Sequence, residues 1–128
     1  MSNVKTYKVV AASFDDAEVN LQVDHDVLTP DLATLINTFW SGAEDRLAQE
    51  NGDVVRAVVR LFGSCAISFF MSDGGAQTGG GDCRYWTQRV IKAQHEGWPD
   101  VDSLGILLAA VFVGSVSYDE VSLEGGDA

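Results

Sequence analysis

The stretch from Val54 to Ser72, VVRAVVRLFGSCAISFFMS, limits what this chain can fold into more than any other part of it. Its β-branched residues favour a strand, but its nineteen residues are too many for an ordinary strand and predict a helix. Apolar residues surround the helical axis except for a narrow stripe of Arg56, Arg60 and Ser64. The sequence therefore predicts that this helix is the most buried in the protein.

Two segments near the N-terminus show the alternation of a β-hairpin. Residues 4–11 form the first, and Val19, Leu21 and Val23 alternate with polar residues in the second. The intervening FDDAE supplies aspartates that suit a turn. We expect an antiparallel pair of strands with one dry face.

The segment LTPDLATLINTFWSGAEDRLAQENGD carries the spacing of one long amphipathic helix. Thr29 is suited to cap its start and Pro30 to occupy its first position. Asn51 and Gly52 are suited to stop it, and Asp53 to cap the apolar helix that follows.

The C-terminal half predicts a third helix and then a strand. The helix runs from Asp82, a capping residue, to about Glu96. The apolar run from Leu104 to Val113 fits either a short buried helix or a central strand, and its glycines and branched residues favour the strand.

The remaining residues complete a small α+β fold. Val121 and Leu123 are candidates for a final edge strand, and we expect residues 124–128 to fray. The predicted architecture is a single domain over residues 1–128, in which the hairpin and the C-terminal strand or strands form a mostly antiparallel sheet. Three helices cover one face of that sheet.

A glycine-rich segment, SDGGAQTGGGDC at residues 72–83, raises the question of phosphate binding. Gly74 and Gly79 have the separation found in a P-loop, but Gly80 and Gly81 stand where Lys and Ser or Thr are required. The segment also follows a predicted helix rather than a strand. We expect a flexible connector rather than a nucleotide site.

The charge of the chain restricts its partners. Eight basic and nineteen acidic residues give a net charge of −11, which repels nucleic acid and anionic lipid and attracts basic protein surfaces. Solubility alone is a competing explanation for this surplus. We expect no direct nucleic-acid binding and no membrane association.

Cysteine usage and the N-terminus indicate a cytoplasmic protein. Cys65 and Cys83 lack the CxxC spacing, and Cys65 lies within an apolar run, as a reduced thiol does. The N-terminus lacks the apolar core of a signal peptide, and we expect no apolar run to reach the roughly 18 residues of a membrane helix.

No catalytic motif is recognisable, and we expect no cofactor. GxSxG, HExxH and EF-hand patterns are absent from the sequence. His25 stands between Asp24 and Asp26, which leaves open whether this triplet binds a metal ion. Arg56 and Arg60 are expected to pair with carboxylates such as Glu44 or Asp45, with a small anion pocket as the alternative.

Most of the chain resembles a family of unknown function, made of short acidic proteins from proteobacteria, their phages and other mobile elements. The most specific parts are NTFWSGAEDRL, followed by NGDVV and SDGGA. The resemblance transfers no catalytic residue. It implies a setting in which small acidic proteins often block host defence proteins, sometimes by mimicking nucleic-acid charge.

The leading hypothesis is a non-enzymatic module that binds a basic surface on a host nucleic-acid-handling protein, as an anti-CRISPR or anti-restriction inhibitor would. Its acidic surface is assigned to Asp15, Asp16, Asp24, Asp26, Glu44, Asp45, Glu50 and Asp53. One alternative is a small enzyme or ligand-binding domain with a pocket near His25 or the Arg56–Arg60 pair. Another is a homodimer or larger homo-oligomer in which residues 104–113 are covered by a second copy.

Overall fold

The computed structural model describes residues 3–11, 17–72, 76–79, 83–93 and 97–113. Strands and helices follow one another in the order β1 (Val4–Val10), β2 (Ala17–Asp24), α1 (Pro30–Phe39), α2 (Ala43–Gln49), α3 (Val54–Ser72), β3 (Ala76–Gly79), α4 (Cys83–Ala93), α5 (Val101–Leu104) and β4 (Ile106–Val113). The predicted α+β class is confirmed.

The four strands form one sheet in the order β1-β2-β4-β3, and every neighbouring pair is antiparallel. Tyr7 faces Leu21 across the predicted hairpin, and Leu21 faces Leu108 across the central pair. The strand interpretation of the C-terminal apolar run is confirmed by β4. β4 lies between β2 and β3, and most of its apolar side chains are buried or partly buried within the domain.

Alternation along β2 decides which face of the sheet the helices cover. Val19, Leu21 and Val23 are fully buried, whereas the alternate residues of the strand remain partly or fully accessible. The buried face packs against α3, whose Phe62 and Phe70 are among the largest fully buried side chains. Helix α3 therefore covers this face of the sheet, as predicted for the helical layer, but the described ranges contain five helices instead of the three predicted.

Helix α3 has the predicted polar stripe, and its remaining surface is largely apolar. Arg56, Arg60 and Ser64 are exposed. Its window Val54–Met71 has a mean hydropathy of 1.7, long and apolar enough to cross a membrane, so the expectation that no stretch has this length was too strict. In this fold the helix packs against the sheet as a core helix.

The predicted helix over residues 28–52 is in fact two helices, α1 and α2, separated by a corner at Trp40, Ser41 and Gly42. Gly42 adopts φ +82°, a left-handed conformation that a helix cannot continue through. Periodicity missed the break because apolar residues recur on both sides of it. The predicted stop is correct, with Asn51 at φ +57° and Gly52 at φ +86°.

Part of the glycine-rich segment is also corrected. Residues Ala76–Gly79 form β3, which pairs with β4 so that Ala76 faces Val113 and Gly79 faces Ala110. The prediction of a connecting loop is wrong for these four residues, because the backbone edge of β4 supplies hydrogen bonds that do not depend on side chains.

Several predictions fall outside the described residues. They concern the rest of the glycine-rich segment, the cap at Asp82, the end of the third helix near Glu96, the possible edge strand at Val121 and Leu123, and the C-terminal tail 124–128. Within the described part of that third helix, α4 runs over residues 83–93 as expected.

Candidate functional site

The residues assigned to the acidic surface occupy different environments. Asp26, Glu44, Asp45 and Asp53 are exposed, whereas Asp24 and Glu50 are partly buried. Asp15 and Asp16 lie outside the described residues. Four of the eight carboxylates are thus displayed to solvent in the described structure.

Charge is divided unevenly between the described residues and the remainder of the sequence. All eight basic residues lie in the described ranges, together with ten of the nineteen acidic residues, so these ranges carry a net charge of −2. The rest of the surplus comes from Asp15, Asp16, Asp73, Asp82, Glu96, Asp119, Glu120, Glu124 and Asp127. The described residues are therefore close to neutral. An unpaired carboxylate among them contributes a large share of the local negative charge.

Glu50 is the carboxylate that pairs with the arginine stripe of α3. Its Oε1 accepts a hydrogen bond from Arg56 Nε at 3.1 Å, and its Oε2 accepts one from Arg60 Nη1 at 3.0 Å. The prediction of Glu44 or Asp45 as the partner is wrong. The turn through Asn51 and Gly52 lets the residue after α2 reach back to the first turns of α3. Glu50 is thereby neutralised, and the two arginines with this one carboxylate carry a single net positive charge.

Asp53 combines exposure with a structural role. Its Oδ1 accepts a hydrogen bond from the backbone N–H of Arg56 at 3.1 Å, which is the predicted cap of α3. The carboxylate also lies at the positive end of the helix dipole.

The triplet Asp24-His25-Asp26 uses its carboxylates locally. Asp24 Oδ1 accepts from the backbone N–H of Asp26 at 3.0 Å, and Asp26 Oδ2 accepts from the backbone N–H of Asn3 at 3.3 Å. His25 Nε2 lies 2.9 Å from the Tyr7 hydroxyl. Among the described residues, no three His, Cys, Asp or Glu side chains are grouped closely enough to hold a metal ion.

A run of contacts joins this hairpin end to the start of α3. The Arg56 guanidinium lies 5.8 Å from the centre of the Tyr7 ring, which itself contacts His25. Asp26 follows His25 at one end of this run, and Asp53 caps the helix of Arg56 at the other. Tyr7 thus contacts both His25 and Arg56, two residues that lie far apart in sequence.

The motif NTFWSGAEDRL builds the corner between α1 and α2. Arg46 donates to Asn37 Oδ1 at 2.8 Å and to the backbone oxygens of Asn37, Trp40 and Ser41 at 2.8, 3.1 and 2.6 Å. The Asn37 side chain donates in turn to the backbone oxygen of Ala43 at 3.1 Å. Arg46 therefore binds one carbonyl in the last turn of α1 and two carbonyls in the corner that follows it. The most specific part of the sequence resemblance therefore has a structural role, which is to hold the corner between α1 and α2.

A broad groove lies beside α4 in the described part of the structure. It has a volume of about 700 Å³ and is lined by Cys83, Arg84, Tyr85, Gln88, Arg89, Lys92, Val101 and Leu107. Sequence reasoning missed this site. The available signal was local: residues 83–93 contain three basic residues and no acidic one, in a strongly acidic chain.

A smaller groove of about 290 Å³ lies beside Arg56 and Arg60, where the enzyme alternative would place a pocket. Glu50 lines it together with both arginines and Lys8, and its carboxylate is occupied by the two arginines.

Two pKa shifts bear on reactivity. Burial raises the pKa of the Cys65 thiol, so this cysteine stays protonated and unreactive at neutral pH. The hydrogen bond from Arg84 lowers the pKa of Asp102 on the rim of the α4 groove.

Comparison with known proteins places the chain in a phage setting. The model of the family described as "Protein of unknown function (DUF2528)" matches residues 18–123. Protein ea10 of Escherichia phage lambda and the lambda prophage-derived protein ea10 of Escherichia coli O6:H1 are each 33% identical to it over 104 residues, covering 80% of this chain and 79% of each relative. No solved structure matches it significantly. The chain therefore belongs to the DUF2528 family, and the expected relationship to proteins of phages and integrated elements is confirmed.

Proposed function

We propose that this protein is a non-enzymatic binding module whose exposed carboxylates engage a basic surface on a partner protein. One observation carries the proposal. Asp26, Glu44, Asp45 and Asp53 are exposed, and no basic side chain lies within ion-pair distance of any of them, although all eight Lys and Arg residues are described. These carboxylates remain available to an external cation.

The distribution of ion pairs supports this role. Glu18, Glu50 and Asp102 form ion pairs with basic residues of the same chain. The internal ion pairs therefore involve other acidic residues than the four exposed carboxylates. Unpaired charge on a rim or open surface accelerates encounter with an oppositely charged partner. Association of this kind weakens as salt is raised.

The buried polar side chains of the described residues have structural roles, which supports a binding function more than a catalytic one. Within the described ranges the buried polar residues are Asn37 and Thr87, and both hydrogen-bond to the backbone. A catalytic site needs titratable groups that converge in a cleft. The enzyme alternative has no such constellation to support it among these residues.

The phage and prophage relatives suggest the class of partner. Proteins that handle nucleic acids present basic grooves to phosphate, and an acidic protein can occupy such a groove. We therefore propose a host nucleic-acid-handling defence protein as the target, in the manner of an anti-CRISPR or anti-restriction inhibitor.

Affinity purification from a host lysate tests the proposal. The whole protein is compared with the double variant Glu44→Gln/Asp45→Asn, which removes two exposed charges at the start of α2. The double variant Glu44→Asp/Asp45→Glu keeps both charges and serves as the matched control. Support requires a basic, nucleic-acid-handling protein that is retained by wild type and control, lost from the neutral variant, and released by high salt. A captured set that is the same for all three proteins overturns the proposal.

A further inference from the structure

The α4 groove carries the opposite charge to the acidic surface and points to a second binding site. We propose that this groove binds an acidic peptide segment of a protein partner, with an apolar side chain of that segment against its aliphatic wall. The inference does not depend on the proposed function, because it uses a different surface and a ligand of the opposite sign.

The outer face of α4 concentrates positive charge. Arg84, Gln88 and Lys92 are spaced four residues apart, and Tyr85 and Arg89 form the adjacent row, so all five lie on one side of the helix. Three of the eight basic residues of the chain thus line one groove.

Arg89 is held in place by aromatic rings rather than by a carboxylate. Its guanidinium carbon lies 5.4 Å from the ring centre of Trp86, 5.6 Å from that of Phe69 and 5.9 Å from that of Tyr85. No described carboxylate is within ion-pair distance of Arg89 or of Lys92. Stacking restricts the arginine side chain while leaving its N–H groups able to donate, which reduces the entropy lost on binding an anion.

The rim of the groove already shows how a carboxylate is recognised. Arg84 donates through Nη1 and Nη2 to the two oxygens of Asp102, and the Nη2 bond is 2.6 Å long. This paired geometry is the usual recognition of a carboxylate by a guanidinium. Both side chains are largely exposed, so a carboxylate from another molecule can reach Arg84, but it must share this arginine with Asp102 or displace it.

An aliphatic wall completes the groove. Val101 is buried and Leu107 partly buried, and both line it opposite the basic residues of α4. Gln88 Oε1 accepts a hydrogen bond from the backbone N–H of Val101 at 3.1 Å, which fixes the wall relative to the helix. A volume of about 700 Å³ accommodates an apolar side chain and its flanking backbone.

Two features favour a peptide over a nucleic acid. Bases bind single-strand sites by stacking on open aromatic faces. The Trp86 ring is contacted by Arg89 and by Phe70, the latter at 5.7 Å between ring centres, whereas Tyr85 stays 52% exposed beside Arg89. The chain as a whole carries −11, which repels a polyphosphate more strongly than a short acidic peptide.

Fluorescence anisotropy tests the proposal with a fluorescein-labelled synthetic peptide in which one leucine is flanked on both sides by glutamates. Lys92→Ala is expected to weaken binding by up to about ten-fold, because one charge-assisted contact is lost. Lys92→Glu is expected to weaken it further. Lys5→Ala on β1 removes the same charge away from the groove and serves as the matched control.

Arg89→Ala is a second variant, but it also removes packing from Phe69 and Trp86, so the Lys92 variants carry the test independently. The peptide with glutamine in place of glutamate, and the peptide with serine in place of leucine, should each bind more weakly. The proposal is overturned if the glutamate peptide does not bind, if Lys92→Glu binds it as well as wild type, or if labelled oligothymidylate binds more tightly through Lys92.

Discussion

Thr87 and Leu108 are joined by a buried hydrogen bond, in which the backbone N–H of Leu108 donates to Thr87 Oγ1 at 2.8 Å. β3 pairs only with residues 110–113 of β4, so this N–H lies beyond the end of β3. The Thr87 hydroxyl also donates to the backbone oxygen of Cys83 at 2.6 Å. One hydroxyl on α4 therefore gives this backbone N–H of β4 its hydrogen-bond partner.

Thr87→Val should destabilise the protein by about 1 to 3 kcal/mol, because it leaves the buried N–H of Leu108 without a partner while keeping the side-chain shape. Chemical denaturation measures the change in the free energy of unfolding. Thr38→Val is the control: its hydroxyl bonds to the backbone on the exposed face of α1, and a change within about 0.5 kcal/mol is expected. Equal losses in the two variants would contradict this role for Thr87.

Arg46→Ala should cost about 2 kcal/mol or more, because it removes a charged donor from the end of α1 and leaves Asn37 Oδ1 buried without its partner. Arg60→Ala is the matched control. Its ion pair with Glu50 is largely exposed on the arginine side and is worth less than about 1 kcal/mol. Thermal or urea unfolding ranks the two variants, and a larger loss for Arg60→Ala would refute the structural role of Arg46.

Gly63→Ala should destabilise the protein although alanine favours helices by about 1 kcal/mol over glycine. An added Cβ would lie 2.5 Å from Val9 Cγ2, so α3 and β1 must separate or Val9 must move. Overpacking of this kind costs about 1 to 3 kcal/mol. The double variant Gly63→Ala/Val9→Ala should recover part of the loss relative to the two single variants. An additive double-mutant cycle would show that the contact is not the cause.

The carboxyl of Asp102 should titrate below the ordinary range in the wild type and return toward about 3.9 in Arg84→Ala. Because its pKa in the folded protein is lowered, the stabilisation from this pair is present above the unfolded pKa and is lost as the pH falls through the folded pKa. Carboxyl-detected NMR measures the titration. Arg89→Ala should leave the Asp102 pKa where it is, and a pKa that does not respond to Arg84→Ala would disprove the pairing in solution.

Local patterns predicted those elements whose formation is decided locally. The caps at Thr29 and Asp53, the stop at Asn51–Gly52 and the alternation of β2 each depend on neighbouring residues. The corner at Gly42 was missed because it depends on a contact beyond the local pattern. Arg46, six residues after Trp40, stabilises the corner by donating a hydrogen bond to the backbone oxygen of Trp40. β3 was missed because its pairing depends on the distant edge of β4.

The candidate sites show the same limit. Glu50 was assigned to the acidic surface, but its pairing with Arg56 and Arg60 requires the turn geometry that brings the end of α2 over α3. The basic groove was overlooked because the net charge of the whole chain is negative, whereas the charge of residues 83–93 is positive. Its aliphatic wall comes from α5 and β4, so the residue pattern within α4 could not predict it.

The pairing of β2 with β4 also decides when this protein can finish folding during its synthesis. Ala17 meets Val113, so the central ladder cannot form until the ribosome has released nearly the entire described chain. Until then the hairpin keeps one flank of β2 without a neighbour, a state in which strands recruit other chains. The nascent chain is therefore expected to be most prone to aggregation in the interval between the synthesis of β2 and that of β4.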